Sequence, residues 1–233
     1  MCTLTCLAKE GALIAHKRMS TSINVLVFSP DGMILASGGD NQYIKLWDVS
    51  SGRERHSLDK TNTSALAFTP DGKTLAGGTS DYSIKFWDVA SGRDLSTSTP
   101  APFEPGPLRG YTVFRGHSDT IWCLAFSPNG KLLASGSGDH LIRLWNVTSG
   151  KQLRTFTCSG TVESVAFSAD GKTLASVDSD NHLSLWNLAT GKKMRDTTGR
   201  IRFIGPAFSP AGKWFTIENG SIRLRDVVSG QES

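Results

Sequence analysis

His117, Ser135 and Asp139 fall in one stretch of the chain, with Trp145 just behind them. A serine, a histidine and an aspartate can make an activated nucleophile. The histidine takes the hydroxyl proton and the carboxylate holds the imidazole, provided that both hydrogen bonds align. Two glycine-rich runs, Ser37-Gly38-Gly39-Asp40 and Ser135-Gly136-Ser137-Gly138, raise phosphate binding. A phosphate cradle needs a helix N-terminus facing the anion, and each of these runs leads into a strand pattern. They read as turns. The acidic turns bring one or two carboxylates together, where calcium takes about six to eight oxygens. His16, His56, His140 and His182 are scattered, and no Cys/His set has zinc-ligand spacing. The residue types therefore point to no metal and no cofactor.

Composition sets the class. The chain has 233 residues, 38% apolar and 20% charged, which is ordinary for a globular protein. Its net charge of +4 is spread along the chain with no Lys/Arg block longer than a pair. That distribution predicts neither a nucleic-acid nor a membrane partner. No apolar run approaches the roughly 18–20 residues that span a bilayer. The N-terminal MCTLTCLAKEGALIAHKR does not read as a signal peptide. Cys2, Cys6, Cys123 and Cys158 show no paired framework, so free thiols and a cytoplasmic location are expected.

The elements that must position these residues recur. Nineteen positions separate Phe28 from Trp47, and the same spacing recurs at Phe68–Trp87, Phe126–Trp145 and Phe167–Trp186. A weaker copy runs from Phe208 to Arg225, two residues shorter. A glycine follows five residues after each Trp position, at Gly52, Gly92, Gly150, Gly191 and Gly230. Inside each copy, a strand ends on the Phe and a tight turn such as Ser29-Pro30-Asp31-Gly32 follows. Two further short strands come next, the second carrying the Trp. Such strands between punctual turns predict small antiparallel sheets. The near-continuous apolar runs Val25–Phe28 and Ile44–Trp47 predict sheets covered on both faces, which a neighbouring repeat supplies. Thr3 to Leu7 and Leu13–His16 read as strands around a turn at Lys9-Glu10-Gly11. The Pro-rich stretch of approximately residues 94–110, with Pro100, Pro102, Pro105 and Pro107, reads as an inserted surface loop ahead of a strand at Tyr111–Phe114.

Trp47-Asp48, Trp87-Asp88, the Gly116-His117 pair ahead of Phe126, and a period of about 40 residues resemble the WD-repeat β-propellers. The resemblance covers nearly all of residues 11–230. It implies an all-β propeller of four-stranded antiparallel blades in a single domain over residues 1–233, with five repeat units. These are approximately 17–56, 57–115, 116–156, 157–197 and 198–233. Residues 1–16 would form an N-terminal closing region, with Leu13–His16 supplying the strand missing after Gly230. A closed five-blade ring, an incomplete array whose open edges pair with another chain, and a part of a longer protein all remain compatible.

The resemblance also assigns roles. His117, Ser135, Asp139 and Trp145 match the family's structural tetrad, which replaces catalysis by a buried hydrogen-bond network. Ser137 is the alternative serine. Asp81 and Asp180 hold the Asp139 offset in repeats two and four, and Asn41 and Asn219 hold it in repeats one and five. Only the third repeat has the histidine. The position four residues before each Phe holds Asn24, Ser64, Trp122, Glu163 and Ile204. In the family this place lies near the channel mouth, and here it varies while the framework stays fixed. Trp122 is the anchor expected there, with Glu163, Asp119 and Arg202 tuning specificity. A non-enzymatic protein-interaction scaffold follows, whose partners are other proteins. A regulatory or sensor segment of a larger protein, and a hydrolase using the channel mouth, are the alternatives.

Overall fold

The computed structural model describes residues 3–7, 13–18, 22–40, 42–96, 113–198, 207–208, 213–218 and 221–226, and among these no helix forms. The chain divides into two compact halves, residues 1–116 and 117–233.

In the N-terminal half, Thr3–Leu7 (β1) and Leu13–Arg18 (β2) pair antiparallel with Thr3 opposite Arg18. These are the two strands expected there; the turn at Lys9-Glu10-Gly11 lies outside the described residues. Ile23–Phe28 (β3), Ile34–Gly39 (β4), Gln42–Asp48 (β5) and Glu54–Thr61 (β6) form a four-stranded antiparallel meander in chain order. Ala65–Phe68 (β7), Thr74–Gly78 (β8) and Ile84–Asp88 (β9) repeat its first three strands.

The C-terminal half holds two complete copies. Ile121–Phe126 (β10), Leu132–Ser137 (β11), Leu141–Asn146 (β12) and Gln152–Thr157 (β13) form one. Val162–Phe167 (β14), Thr173–Asp178 (β15), His182–Asn187 (β16) and Lys193–Thr198 (β17) form the other. Ala207–Phe208 (β18), Lys213–Glu218 (β19) and Ser221–Asp226 (β20) pair as a three-stranded sheet.

Register explains the constant spacing. Phe126 stands opposite Leu133, Leu133 opposite Trp145 and Trp145 opposite Gln152, so one line of residues crosses the whole sheet. Phe28, Leu35, Trp47 and Glu54 draw the same line in the first sheet. The nineteen-residue interval from Phe to Trp is the chain length of two tight turns, the second strand and the third strand as far as the Trp. At the first turn, the Gly32 N–H donates to the Ser29 carbonyl at 2.8 Å with φ of +71°. Glycine takes that left-handed conformation without a Cβ clash.

The second sheet gains its outer edge in two pieces. Asp94 stands opposite Trp87, and the Leu95 N–H donates to the Phe86 carbonyl at 2.8 Å. Phe114 then stands opposite Ile84, and the two exchange backbone hydrogen bonds of 2.9 and 3.1 Å. The stretch read as an insert ahead of the strand thus starts inside it: 94–96 lie on the sheet edge, and 97–112 lie outside the described residues.

Adjacent sheets bury their facing sides. Ile34, Ala36, Ile44, Leu46 and Leu58 of the first sheet pack with Leu66, Phe68, Leu75, Trp87 and Val89 of the second. Ala134, Ile142, Leu144 and Phe156 pack likewise with Val165, Phe167, Leu174 and Trp186. One expectation needs correction. Ile44, Leu46 and Trp47 are buried, but Leu26 and Phe28 of β3 stay 45% and 56% exposed. Their counterparts Leu66 and Phe68 are covered by the sheet before them.

Candidate functional site

Four residues from four segments meet in the third sheet. The loop before β10 supplies His117, β11 supplies Ser135, the β11–β12 hairpin supplies Asp139 and β12 supplies Trp145. The indole N–H of Trp145 donates to Ser135 Oγ at 2.9 Å. Ser135 Oγ lies 2.7 Å from His117 Nε2, and His117 Nδ1 lies 2.8 Å from Asp139 Oδ2. The Asp139 carboxylate also accepts the backbone N–H of Ser118 and of Leu141, both at 3.1 Å. Ser137, the alternative serine, instead donates to the Asp119 carbonyl at 3.0 Å and accepts the Asp139 N–H at 3.1 Å.

Protonation follows from burial. Burial drives the His117 pKa below its ordinary value, and the Asp139 carboxylate offsets this only in part. For Asp139, burial works to raise the pKa, but His117 and the two backbone donors outweigh it and hold the carboxyl below its usual range. A neutral imidazole beside an ionised carboxylate satisfies every atom. Nδ1–H donates to Asp139, the Ser135 hydroxyl donates to Nε2, and the hydroxyl oxygen accepts the Trp145 indole.

This order of groups is that of a hydrolytic triad, and its surroundings forbid the chemistry. Ser135 is 0% exposed, and the side chains of His117 and Asp139 are 1% and 4% exposed. The hydroxyl is closed off from solvent, and the indole engages one of its two lone pairs. The network ties a loop to two strands and a hairpin.

The other repeats keep parts of it. Trp47 donates to Ser37 Oγ and Trp186 to Ser176 Oγ, each at 2.9 Å. In the fourth repeat Cys158 takes the place of the histidine, with Sγ 3.9 Å from Ser176 Oγ. Its carboxylate comes from Asp178 rather than from Asp180. Buried Asp178 accepts the N–H of Ser159 at 3.2 Å and of His182 at 3.0 Å, the counterparts of Ser118 and Leu141. In the second repeat Asp81 sits at the surface with Arg115 Nη1 3.3 Å away, and Thr79 and Ser83 each donate to it at 2.6 Å. Asn41 and Asn219 lie outside the described residues.

The positions four before each Phe share a backbone feature. The ladder slips between Ile23 and Val25, between Ile121 and Cys123, and between Val162 and Ser164. Asn24, Trp122 and Glu163 are therefore β-bulge residues, unpaired in the ladder and re-aimed at the sheet end. Trp122 is 47% exposed. Asn24 is exposed, with its Nδ2 donating to Asp40 Oδ1 at 2.8 Å. Ser64 is half-buried just ahead of β7. Ile204 and Arg202 lie outside the described residues.

The Cys123 thiol donates to the Val162 carbonyl at 3.6 Å, which joins β10 to β14 beside the bulges that carry Trp122 and Glu163. Burial raises the pKa of half-buried Glu163, and the Asp178 charge adds to it. Asp119 lies at the same end, its carboxylate against Gly138. Residues 117–126, 135–142, 158–164 and 176–183, which form this end, contain five carboxylates and no lysine or arginine. Cys123 and Cys158 stay protonated at neutral pH: burial raises the Cys123 pKa and pushes Cys158 up to about 11. Among the described residues, no group of three His, Cys, Asp or Glu side chains could hold a metal ion.

Comparison with known proteins adds the family. The chain is similar to ribosome biogenesis protein BOP1 of Rattus norvegicus, 41% identical over 71 residues, which is 30% of this chain and 10% of that protein. The human protein of that name is 42% identical over 72 residues. WD repeat-containing protein 18 of Bos taurus is 47% identical over 60 residues, 26% of this chain and 14% of that protein. The matches thus span only a tenth to a seventh of these relatives. They overturn the cytoplasmic location expected from the cysteines, since the proteins matched are named for ribosome biogenesis. Free thiols fit any reducing compartment, so the cysteines never distinguished these places. Residues 5–48, 53–88, 110–146 and 150–187 match the family described as WD domain, G-beta repeat. Each match from the second onward opens on the outer strand of one sheet and closes on the Trp strand of the next. These four matches cover more than half of the chain, which belongs to the WD-repeat family.

Proposed function

We propose that this chain is a non-enzymatic protein-interaction scaffold whose docking face is the bulged end of the sheets, anchored in the C-terminal half by Trp122. WD-repeat proteins serve as interaction scaffolds. Beyond that, the exposure of Trp122 on a β-bulge carries the reading. A bulge spends one ladder position to present a side chain, and an indole can bury on the order of 200 Å² against a partner. Asp119, Glu163 and Asp180 lie in the described segments that form this end, which contain no lysine or arginine, and they favour a basic protein segment. The rat and human relatives are named for ribosome biogenesis, which supports a partner within a larger assembly.

An oligoarginine peptide titrated into the full chain tests the reading by fluorescence anisotropy. Trp122→Ala and Glu163→Gln each weaken binding by about tenfold while the melting temperature holds. Equal affinity of wild type and Trp122→Ala would remove Trp122 from the docking face.

A further inference from the structure

Each complete sheet has two turns at the end away from its bulged residue. One joins the first strand to the second, and the other joins the third to the fourth. In every such turn a side-chain oxygen accepts a backbone N–H a short step ahead. In the N-terminal half the acceptor is always a carboxylate. Asp31 takes the Met33 N–H at 2.9 Å, Asp48 that of Ser51 at 2.9 Å, Asp71 that of Lys73 at 3.1 Å and Asp88 that of Ser91 at 2.8 Å. In the C-terminal half Asn129, Asn146 and Asn187 make the same bonds, at 3.0, 2.8 and 2.8 Å, and only Asp170 remains acidic. The amide keeps the hydrogen bond and removes the charge.

A basic residue follows the turn glycine at most of these places. The N-terminal half sets three cations, Arg53, Lys73 and Arg93, against its four turn carboxylates. The two complete sheets of the C-terminal half set four, Lys131, Lys151, Lys172 and Lys192, against one. Hydroxyl and backbone donors from Ser50 and Ser51 hold Asp48 at about 2, and similar donors lower Asp31, Asp71 and Asp88, so all four are ionised at neutral pH. One half therefore neutralises its turn end internally, and the other does not. All four lysines are exposed, and none forms an ion pair among the described residues. Charge that is evenly spread along the chain is gathered by the fold at one end of the C-terminal half.

We propose that this turn end of the C-terminal half is a contact surface for the phosphate backbone of a nucleic acid. The turn tips between the lysines carry Pro128, Asn129, Thr148, Ser149, Ala169 and Thr190 and no aromatic anchor; the exposed apolar side chains two residues beyond Lys151 and Lys192 are the isolated Leu153 and Met194. An acidic protein partner would need such an anchor for affinity. Phosphates need only repeated cations, and lysine on a flexible stem meets them as a point charge. With no ring to stack on a base, the contact reads charge and not sequence.

The test uses the full chain and a fluorescein-labelled oligouridine, with anisotropy followed across a salt series. Wild type binds with an affinity that falls steeply with salt. The K131Q/K151Q/K172Q/K192Q variant binds at least about tenfold more weakly, and its slope of log K against log salt is smaller by about 3, near 0.7 for each lost phosphate contact. N129D/N146D/N187D keeps every lysine and turn bond, restores the charge pattern of the other half, and also weakens binding about tenfold. R53Q/K73Q/R93Q leaves it unchanged. Melting curves precede the titrations, and if one C-terminal variant unfolds the other decides. Absence of wild-type binding, or equal affinity and slope in the folded variants, overturns the proposal. Binding of polyglutamate without oligouridine overturns it in favour of an acidic protein. Trp122→Ala leaves oligouridine binding intact, so failure here is separate from failure of the docking face.

Discussion

Trp87 lies with the far edge of its indole against Gly77, where an added Cβ would come within 2.9 Å of the ring, and its buried N–H has no acceptor. Trp47, Trp145 and Trp186 each donate to a serine ten residues earlier, and at that offset from Trp87 the chain has the glycine. The second repeat keeps the bulk of its tryptophan and loses the hydrogen bond.

Removing the two indole N–H groups should therefore have unequal effects. Trp87→Phe gives up packing alone, and it relieves an unsatisfied donor. Trp145→Phe gives up packing and leaves Ser135 short of a partner. Urea unfolding of the two variants should place Trp145→Phe about 1–2 kcal/mol below Trp87→Phe.

The His117 network makes stability depend on pH in a fixed direction. Its folded pKa lies below the ordinary histidine value of about 6.5. Between the two pKa values the unfolded chain binds more protons, so the unfolding free energy rises with pH. The contribution is complete above about 6.5 and is lost as pH falls through the lowered value. Denaturant midpoints for wild type and His117→Asn should converge on acidification across that window. A gap between them that stays constant would mean that His117 does not titrate on unfolding.

Tyr82 and His140 adopt left-handed backbone, φ of +61° and +66°, at the hairpin place where the fourth repeat has Asn181 at +63°. A bulky side chain pays for that conformation, and asparagine tolerates it. Tyr82→Asn should raise stability by up to about 1 kcal/mol, read as a higher melting temperature. The ring is 40% exposed, so little packing is lost to offset the gain.

The repeat was legible because its parts are local. Turn residues, strand lengths and the Phe–Leu–Trp line all follow from short-range pattern, and the grouping of His117, Ser135, Asp139 and Trp145 came from the resemblance to the WD-repeat family. Two features were not local. The bulges at Asn24, Trp122 and Glu163 depend on how one strand counts against its partner, which no single strand records. Asp178 replaces Asp180 in the fourth repeat because a carboxylate two residues earlier, on the other side of the hairpin corner, reaches the same pair of N–H groups. The insert was misplaced for a related reason. Asp94 to Ser96 carry no strand pattern of their own and belong to the edge only through pairing with Phe86 and Trp87.

The central claim is that Trp122 meets a partner while the tetrad beneath it does not. Fluorine NMR of the chain labelled with 5-fluorotryptophan tests it most directly, with the Trp122 and Trp145 signals assigned by Trp122→Phe and Trp145→Phe. On titration with oligoarginine, the Trp122 resonance should shift with saturation and the Trp145 resonance should stay in place. A shift at Trp145 with Trp122 unmoved would contradict the account, because the ligand would then act on the buried network and not on the bulged face.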